Sequence, residues 1–186
     1  MLLGAVPEGA QRGLDVGCGE GETARRLRRR AGAVTGLDPD ATSIEQAGSR
    51  DEDIEYLVGE LHSADLPEAP FDVASAVGML HHVDQRAGLA QLARLVRSGG
   101  MLIVVGLARS RSLRDLTRDA RDTVAVRRHR LTKGVWETPS PRIWPPPLTC
   151  AGARQVSLDV LPDTRFERVP YFRHGLTWQA PDTEHG

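Results

Sequence analysis

The chain has 186 residues, a formal net charge of −1, 40% hydrophobic and 26% charged residues. These figures fit one ordinary globular domain and exclude a general attraction to nucleic acid or to an anionic membrane. Cys18 and Cys150 are too few for a disulfide framework. No apolar run approaches the roughly 20 residues of a membrane span, so a cytoplasmic protein with no membrane partner is expected.

Residues 1–12 give little lead-in, a turn or two at most, before a strand that begins near Gly13 and ends at Val16. The strand opens into LDVGCGEG, residues 14–21, with Gly17, Gly19 and Gly21 at alternate positions. Glycines there permit positive φ and let a ligand approach the backbone without meeting a Cβ. A helix over residues 22–30 would aim its free amides at an anionic group above the loop. The dinucleotide fingerprint G-x-G-x-x-G does not fit, because Glu22 stands where its third glycine belongs. Asp15, two residues before the first glycine, would repel a pyrophosphate but can accept hydrogen bonds from an ammonium group or from loop amides. The competing reading is a structural turn with a satisfied carboxylate.

An acidic residue followed by G-x-G-x-G resembles the first motif of the class I S-adenosylmethionine-dependent methyltransferases. The resemblance implies S-adenosyl-L-methionine as cofactor, held by Gly17, Cys18, Gly19 and Gly21 with Asp15 at its amino-acid end. Next, the pattern ETARRLRRR has an apolar face of Ala24 and Leu27, and its arginines gather toward the helix end as a solvated, dipole-complementing face. Residues 33–37 read as a second strand ending in Asp38. An acid about 20 positions after the glycine loop is where a parallel α/β unit binds ribose hydroxyls, a helix cap being the alternative. Pro39, counted with the cofactor residues, and Asp40 open a helix over residues 41–47.

A third strand over residues 54–58 is closed by Gly59. In the resembling family the segment after it reaches the adenine edge, which corresponds here to Glu60 and Leu61, or to Asp65 if a longer loop shifts the register. The fourth strand, residues 71–77, ends at Val77 on the cofactor side, and Gly78, Met79, Leu80, His81, His82 and Val83 follow. The phrase FD, followed ten residues later by HHV, resembles the small-molecule branch of the family. No N-P-P-Y or D-P-P-Y occurs, so the signature of nucleic-acid amino methyltransferases is absent where it would stand.

An amphipathic helix is expected over residues 85–96, ended by Ser98, Gly99 and Gly100, and then a fifth strand over residues 101–105. Regular alternation of strand and helix argues for a parallel sheet with crossovers. The resemblance implies the order 3-2-1-4-5 with the cofactor crevice where that order reverses. After Gly106 a helix is expected over residues 112–129. Residues 132–148, with five prolines, Trp136 and Trp144, form an irregular segment that either covers the cofactor in place of the short lead-in or fills the groove between the sheet and the helix at Thr149. A helix from Thr149 to about Asp159, a terminal antiparallel hairpin from residues 165–169 and 172–179, and a frayed tail at 180–186 complete the chain.

The expected fold is therefore α/β: a Rossmann-like class I methyltransferase fold, a mostly parallel sheet with an antiparallel terminal hairpin. It is a single domain over residues 1–179, with a cofactor core at 13–107 and a substrate and lid region at 108–179. The resemblance implies methyl transfer to a small molecule, with no nucleic-acid partner and no metal. His81 and His82 stand where an acceptor would meet the methyl, as general base or as positioning group. Adjacent residues at a strand end point in opposite directions, so at most one of the two enters the pocket. The alternatives are a regulator that binds the cofactor without turnover, and a nicotinamide-dependent oxidoreductase. Oligomeric state and acceptor identity are not legible.

Overall fold

The computed structural model describes residues 2–51, 53–64, 66, 70–107, 148–169 and 173–182. The helix expected over residues 112–129, Trp136, Trp144, Asp65 and the last residues of the tail lie outside them. A seven-stranded sheet forms the centre, in the order β3-β2-β1-β4-β5-β7-β6. Its members are β1 (Arg12–Val16), β2 (Ala33–Asp38), β3 (Glu55–Val58), β4 (Phe71–Val77), β5 (Val96–Leu107), β6 (Arg165–Val169) and β7 (Arg173–Gln179). Strands β1 to β5 pair in parallel, and β7 runs antiparallel to both β5 and β6. The parallel run and the antiparallel terminal hairpin are those expected of a Rossmann-like methyltransferase fold. Among the described residues no helix is long and apolar enough to cross a membrane.

Helix α1 (Glu22–Arg28) packs Ala24 and Leu27 on one face of the sheet together with Val34, Val73 and Ile103. The other face carries α3 (Gln85–Leu95) through Leu89 and Leu92, and α4 (Cys150–Val160) through Val156 and Val160. Helix α2 (Ala41–Gly48) lies against β2 and β3. The central strands are almost wholly buried because helices cover both faces, which is why they read as apolar runs and not as alternating patterns. Asp72 joins the base of the sheet. Its Oδ2 accepts from the amides of Gln11 (2.8 Å) and Arg12 (2.7 Å), and its Oδ1 from Arg97 Nε on β5. Arg12 in turn lies over the ring of the fully buried Phe71, 4.9 Å from its centre.

Two boundaries differ from the sequence expectation. Helix α1 stops at Arg28, and its arginines form ion pairs: Arg25 with Glu22 and Asp51, and Arg26 with Glu22. Strand β5 begins at Val96, not at Met101, because Val96 leaves α3 in extended geometry and pairs with Phe71 at once. The Ser98–Gly100 stretch is then an irregularity within the strand, with Gly99 at φ +69° and the register slipping between Phe71 and Val73.

Candidate functional site

The glycine loop closes the C-terminal end of β1 and is tied to β2. The amides of Gly17 and Cys18 both donate to the carbonyl of Leu37, at 2.8 and 3.1 Å, and the amide of Gly21 donates to that of Cys18 at 2.9 Å. Asp38, at the end of β2, accepts from the amide of Gly19 at Oδ2 (2.8 Å) and from the amide of Asp40 at Oδ1 (2.9 Å). One carboxylate thus fixes the glycine loop and the start of α2, while Asp40 is the residue that caps that helix. Each oxygen of a carboxylate accepts two hydrogen bonds, so Asp38 keeps acceptor capacity for a diol.

Gly17, Gly19 and Gly21 hold φ of +70°, +51° and +83°. Their surroundings differ. A Cβ on Gly17 would lie 2.6 Å from Met79 Cβ, and one on Gly21 would run into the hydroxyl of Tyr56 on β3. A Cβ on Gly19 would meet nothing within 4 Å, so Gly19 faces open space above the loop. Cys18 turns inward: its thiol lies where a Cβ on Gly36 would approach it to 3.0 Å, and burial raises its pKa beyond the ordinary thiol range. Its amide and carbonyl are both bonded within the protein, to Leu37 and Gly21. Tyr56, which the sequence reading did not single out, backs the loop with its hydroxyl buried and without a partner among the described residues, and burial raises its pKa to about 12. An aromatic residue in β3, two positions before its end, was the available signal.

Asp15 is 1% exposed. Leu14 and Val16 point to the face covered by α3, so Asp15 points to the face covered by α1. Its Oδ1 accepts from the hydroxyl of Ser75 on β4 at 2.7 Å, and its Oδ2 has no hydrogen-bond partner of good geometry. Burial raises its pKa to about 7, a rise that the Ser75 hydroxyl and, more weakly, the Ala24 amide oppose and the charge of Asp38 reinforces. The sequence placed Asp15 near the cofactor but gave no sign of Ser75, which sits beside it only because β1 and β4 are neighbours in the sheet.

Of the other expected residues, Pro39 and Glu60 are exposed, Val77 is half-buried at the end of β4, and Leu61 is packed into the core on the α3 face. Beyond β4 the chain turns through Gly78 (φ +75°) into a single 3-10 turn, Leu80–His82. The turn separates the two histidines. His82 is exposed, whereas His81 is half-buried with Nδ1 buried and unpartnered among the described residues. Burial, and then the neighbouring His82 ring 4.0 Å away, lower the pKa of His81. His81 lines a cavity of about 390 Å³ at the C-terminal edge of β4 and β5, between α3 and α4. His174 on β7 lines the same cavity and was not foreseen; a lone histidine in a terminal strand carries no spacing signal. Among the described residues no cluster of His, Cys, Asp or Glu is arranged to hold a metal ion.

A parallel sheet whose order reverses between β1 and β4, a glycine loop at that point and an acid at the end of β2 define a protein that binds a nucleoside-bearing cofactor in the crevice above the strand ends. The family model described as a methyltransferase domain matches residues 14–104. An uncharacterized methyltransferase of Mycobacterium tuberculosis is 39% identical over 184 residues, which are 97% of this chain and 93% of that protein. The chain belongs to the S-adenosylmethionine-dependent methyltransferases, and S-adenosylmethionine is its cofactor. The malonyl-[acyl-carrier protein] O-methyltransferase of Serratia marcescens is 36% identical over 117 residues, 62% of this chain but only 45% of that protein. The N-methyltransferase NodS of Bradyrhizobium japonicum, solved with S-adenosyl-L-homocysteine, shares the fold with a TM-score of 0.62 at 13% identity, over 94% of this chain and 80% of that one.

Proposed function

We propose that the protein methylates a small-molecule acceptor held in the cavity beside His81, with the cofactor seated over residues 17–21. The observation that carries this reading is the cavity itself, about 390 Å³ at the strand ends and lined by a half-buried histidine with a free buried nitrogen. That volume lies in the range of small-ligand sites, which are roughly 300–1,000 Å³.

The residues present fit the cofactor. Gly19 leaves open space above the loop, Asp38 retains acceptor capacity for the ribose diol, and the unpartnered Oδ2 of Asp15 suits the ammonium of the amino-acid end. Glu60, Leu61, Pro39 and Val77 would flank the base and ribose, Leu61 by shaping the wall from within the core. When bound, S-adenosylmethionine supplies an electrophilic methyl on a sulfonium. For an in-line displacement the protein has mainly to align the two partners and exclude water. His81, on the cavity wall, is the residue proposed to take the acceptor's proton. Its lowered pKa keeps the ring neutral near pH 7, so the lone pair is available. His82, exposed beside it, is proposed to act on the ring of His81 and not on the acceptor.

The test is transfer of isotopically labelled methyl from S-adenosylmethionine to a panel of small hydroxyl and amine compounds, with protein and RNA as competing acceptors. Label recovered in a small molecule, and lost in His81→Asn, supports the reading. Label recovered only in macromolecules would overturn it.

A further inference from the structure

The two halves of the glycine loop are held by different means. Residues 17–19 are tied to β2 through the carbonyl of Leu37 and the carboxylate of Asp38. The amide of Gly21 only closes back on Cys18, within the loop itself. Arg25 supplies the second tie. Its Nη1 donates to the carbonyl of Glu20 at 3.0 Å and to Oδ2 of Asp51, in the connection between α2 and β3, also at 3.0 Å. A guanidinium Nη1 carries two hydrogens in fixed directions, so one atom can make both bonds at once. The same nitrogen lies against Gly21, where a Cβ would come within 3.2 Å of it, beside the hydroxyl of Tyr56.

The arginines of α1 read in sequence as a solvated face, and Arg26 is exposed. Arg25 is not part of that face: its side chain is 22% exposed and that of Asp51 24%, so water screens their pairing only in part. A further ion pair, Arg50 with Glu20 at 2.7 Å, joins the same two segments. With Arg50 46% exposed, it contributes little. Glycine backbone is the least restrained in any chain, and this loop has three glycines to fix at positive φ. Ordering that is left until a ligand arrives is subtracted from the ligand's binding free energy. The carbonyl that Arg25 holds belongs to the residue next to Gly19, which faces the open space above the loop.

We infer that Arg25 is a positioning residue for the cofactor: by joining the Glu20 carbonyl to Asp51 it holds the second half of the glycine loop in the shape that S-adenosylmethionine binds. The inference rests on the reading that seats the cofactor over residues 17–21. Arg25 acts through the loop backbone and not on the ligand.

The probe is S-adenosylhomocysteine, titrated by calorimetry into the full chain at a temperature where every variant is folded. Arg25→Met, which keeps most of the stem and removes every donor, should weaken binding by about tenfold or more. It should also shift the amide resonance of Gly21, whose nitrogen shares a peptide with the Glu20 carbonyl. Arg25→Lys returns a charged donor and should recover part of the affinity. Asp51→Ala frees Arg25 at one end and should weaken binding by a smaller factor. Combined with Arg25→Met it should add less than about twofold, because the two act through one link. Glu22→Gln loosens the remaining partner of Arg25, and Arg97→Met breaks the pair with Asp72 at the base of the sheet. Both should keep the affinity within about twofold whatever they do to the melting temperature.

A loss smaller than about tenfold in Arg25→Met overturns the inference, and so does a loss that lysine leaves unrestored or that Arg97→Met reproduces. Full affinity in Asp51→Ala overturns it even where Arg25→Met does not fold. Gly19→Ala tells the two readings apart. If it weakens binding and Arg25→Met does not, the loop remains the cofactor site and only the role of Arg25 falls. If neither weakens binding, the cofactor sits elsewhere and both readings fall.

Discussion

The glycine loop and the cavity lie on the same edge of one sheet, yet they are built on opposite principles. In the loop the amides of Gly17, Cys18, Gly19 and Gly21 all bond within the protein, and the positive-φ backbone is held by Leu37 and Asp38. In the cavity the buried polar atoms of His81 and His174 have no partner among the described residues, and their positions are set by packing. The first arrangement presents a fixed shape and needs no reorganisation when a ligand arrives. The second keeps hydrogen-bonding capacity in reserve, at a cost in stability while it is unused. On the reading proposed above, the backbone-held loop takes the cofactor, with the unpartnered Asp15 and Tyr56 atoms beside it, and the cavity takes the acceptor; the two should respond differently to substitution and to pH.

The largest effect should come from breaking the loop at its tightest point. Gly17→Ala forces a left-handed alanine, roughly 1–2 kcal/mol, and drives its Cβ into Met79, which adds an overpacking cost of about 1–3 kcal/mol. Chemical denaturation should report the sum, and binding of S-adenosylhomocysteine should be lost with it. Gly19→Ala separates fold from ligand. With nothing within 4 Å of its Cβ it should cost only about 1–2 kcal/mol of stability, while placing a methyl in the space above the loop and weakening the cofactor about tenfold or more. Full cofactor affinity in Gly19→Ala would remove that space from the site.

The two halves should also titrate in opposite directions. Asp15 has a folded pKa raised to about 7, so the stability it contributes is fully present below its unfolded pKa near 4 and is lost as pH rises through 7. His174 has a folded pKa lowered to about 4, so its contribution is fully present above its unfolded value near 6.5 and is lost as pH falls through 4. Each amounts to a few kcal/mol, at about 1.4 kcal/mol per pKa unit. Between pH 4 and 6.5 they oppose each other, and the wild-type profile should be nearly flat. Asp15→Asn should leave stability rising with pH over that window, and His174→Phe should leave it falling. Unfolding free energies measured at several pH values decide the point, and parallel profiles for the two variants would show that the pair is not opposed.

His174→Phe should in addition raise stability at pH 7 by about 1–3 kcal/mol, since it removes two unsatisfied buried nitrogens and keeps an aromatic ring against Phe166. A fall in melting temperature instead would mean that the imidazole is satisfied where it stands. Asp38→Ala removes a charged acceptor from the cofactor and from the Gly19 and Asp40 amides together, and calorimetry should show a loss of about 1–3 kcal/mol in S-adenosylhomocysteine binding. The smallest effect separates the histidines. His81→Ala should lower kcat at least about tenfold more than His82→Ala, a difference of about 1.4 kcal/mol, because only His81 lines the cavity. Equal kcat for the two variants would take proton removal away from His81.

By itself, the sequence determined the order of elements and most of their limits. Strand β4 was legible as FDVASAV, the hairpin as two short runs after a Thr-capped helix, and the glycine loop as the turn between β1 and α1 with an acid at the end of β2. All of these are encoded within about 20 consecutive residues, by apolar runs, caps and glycines whose physics is local. The start of β5 was misplaced because Ser98, Gly99 and Gly100 look like a loop in isolation, and only pairing with β4 makes them part of a strand. The tertiary structure alone decided which side chains meet across the chain. Ser75 reaches Asp15 across 60 positions, Tyr56 backs Gly21, and His174 finds Gly106 through an antiparallel register. No local pattern marks such pairs, because each depends on the order of strands in the sheet and on the face to which a residue points. The division between His81 and His82 has the same origin: two identical neighbours in sequence are separated only by the turn after β4, which leaves one at the cavity and one in solvent.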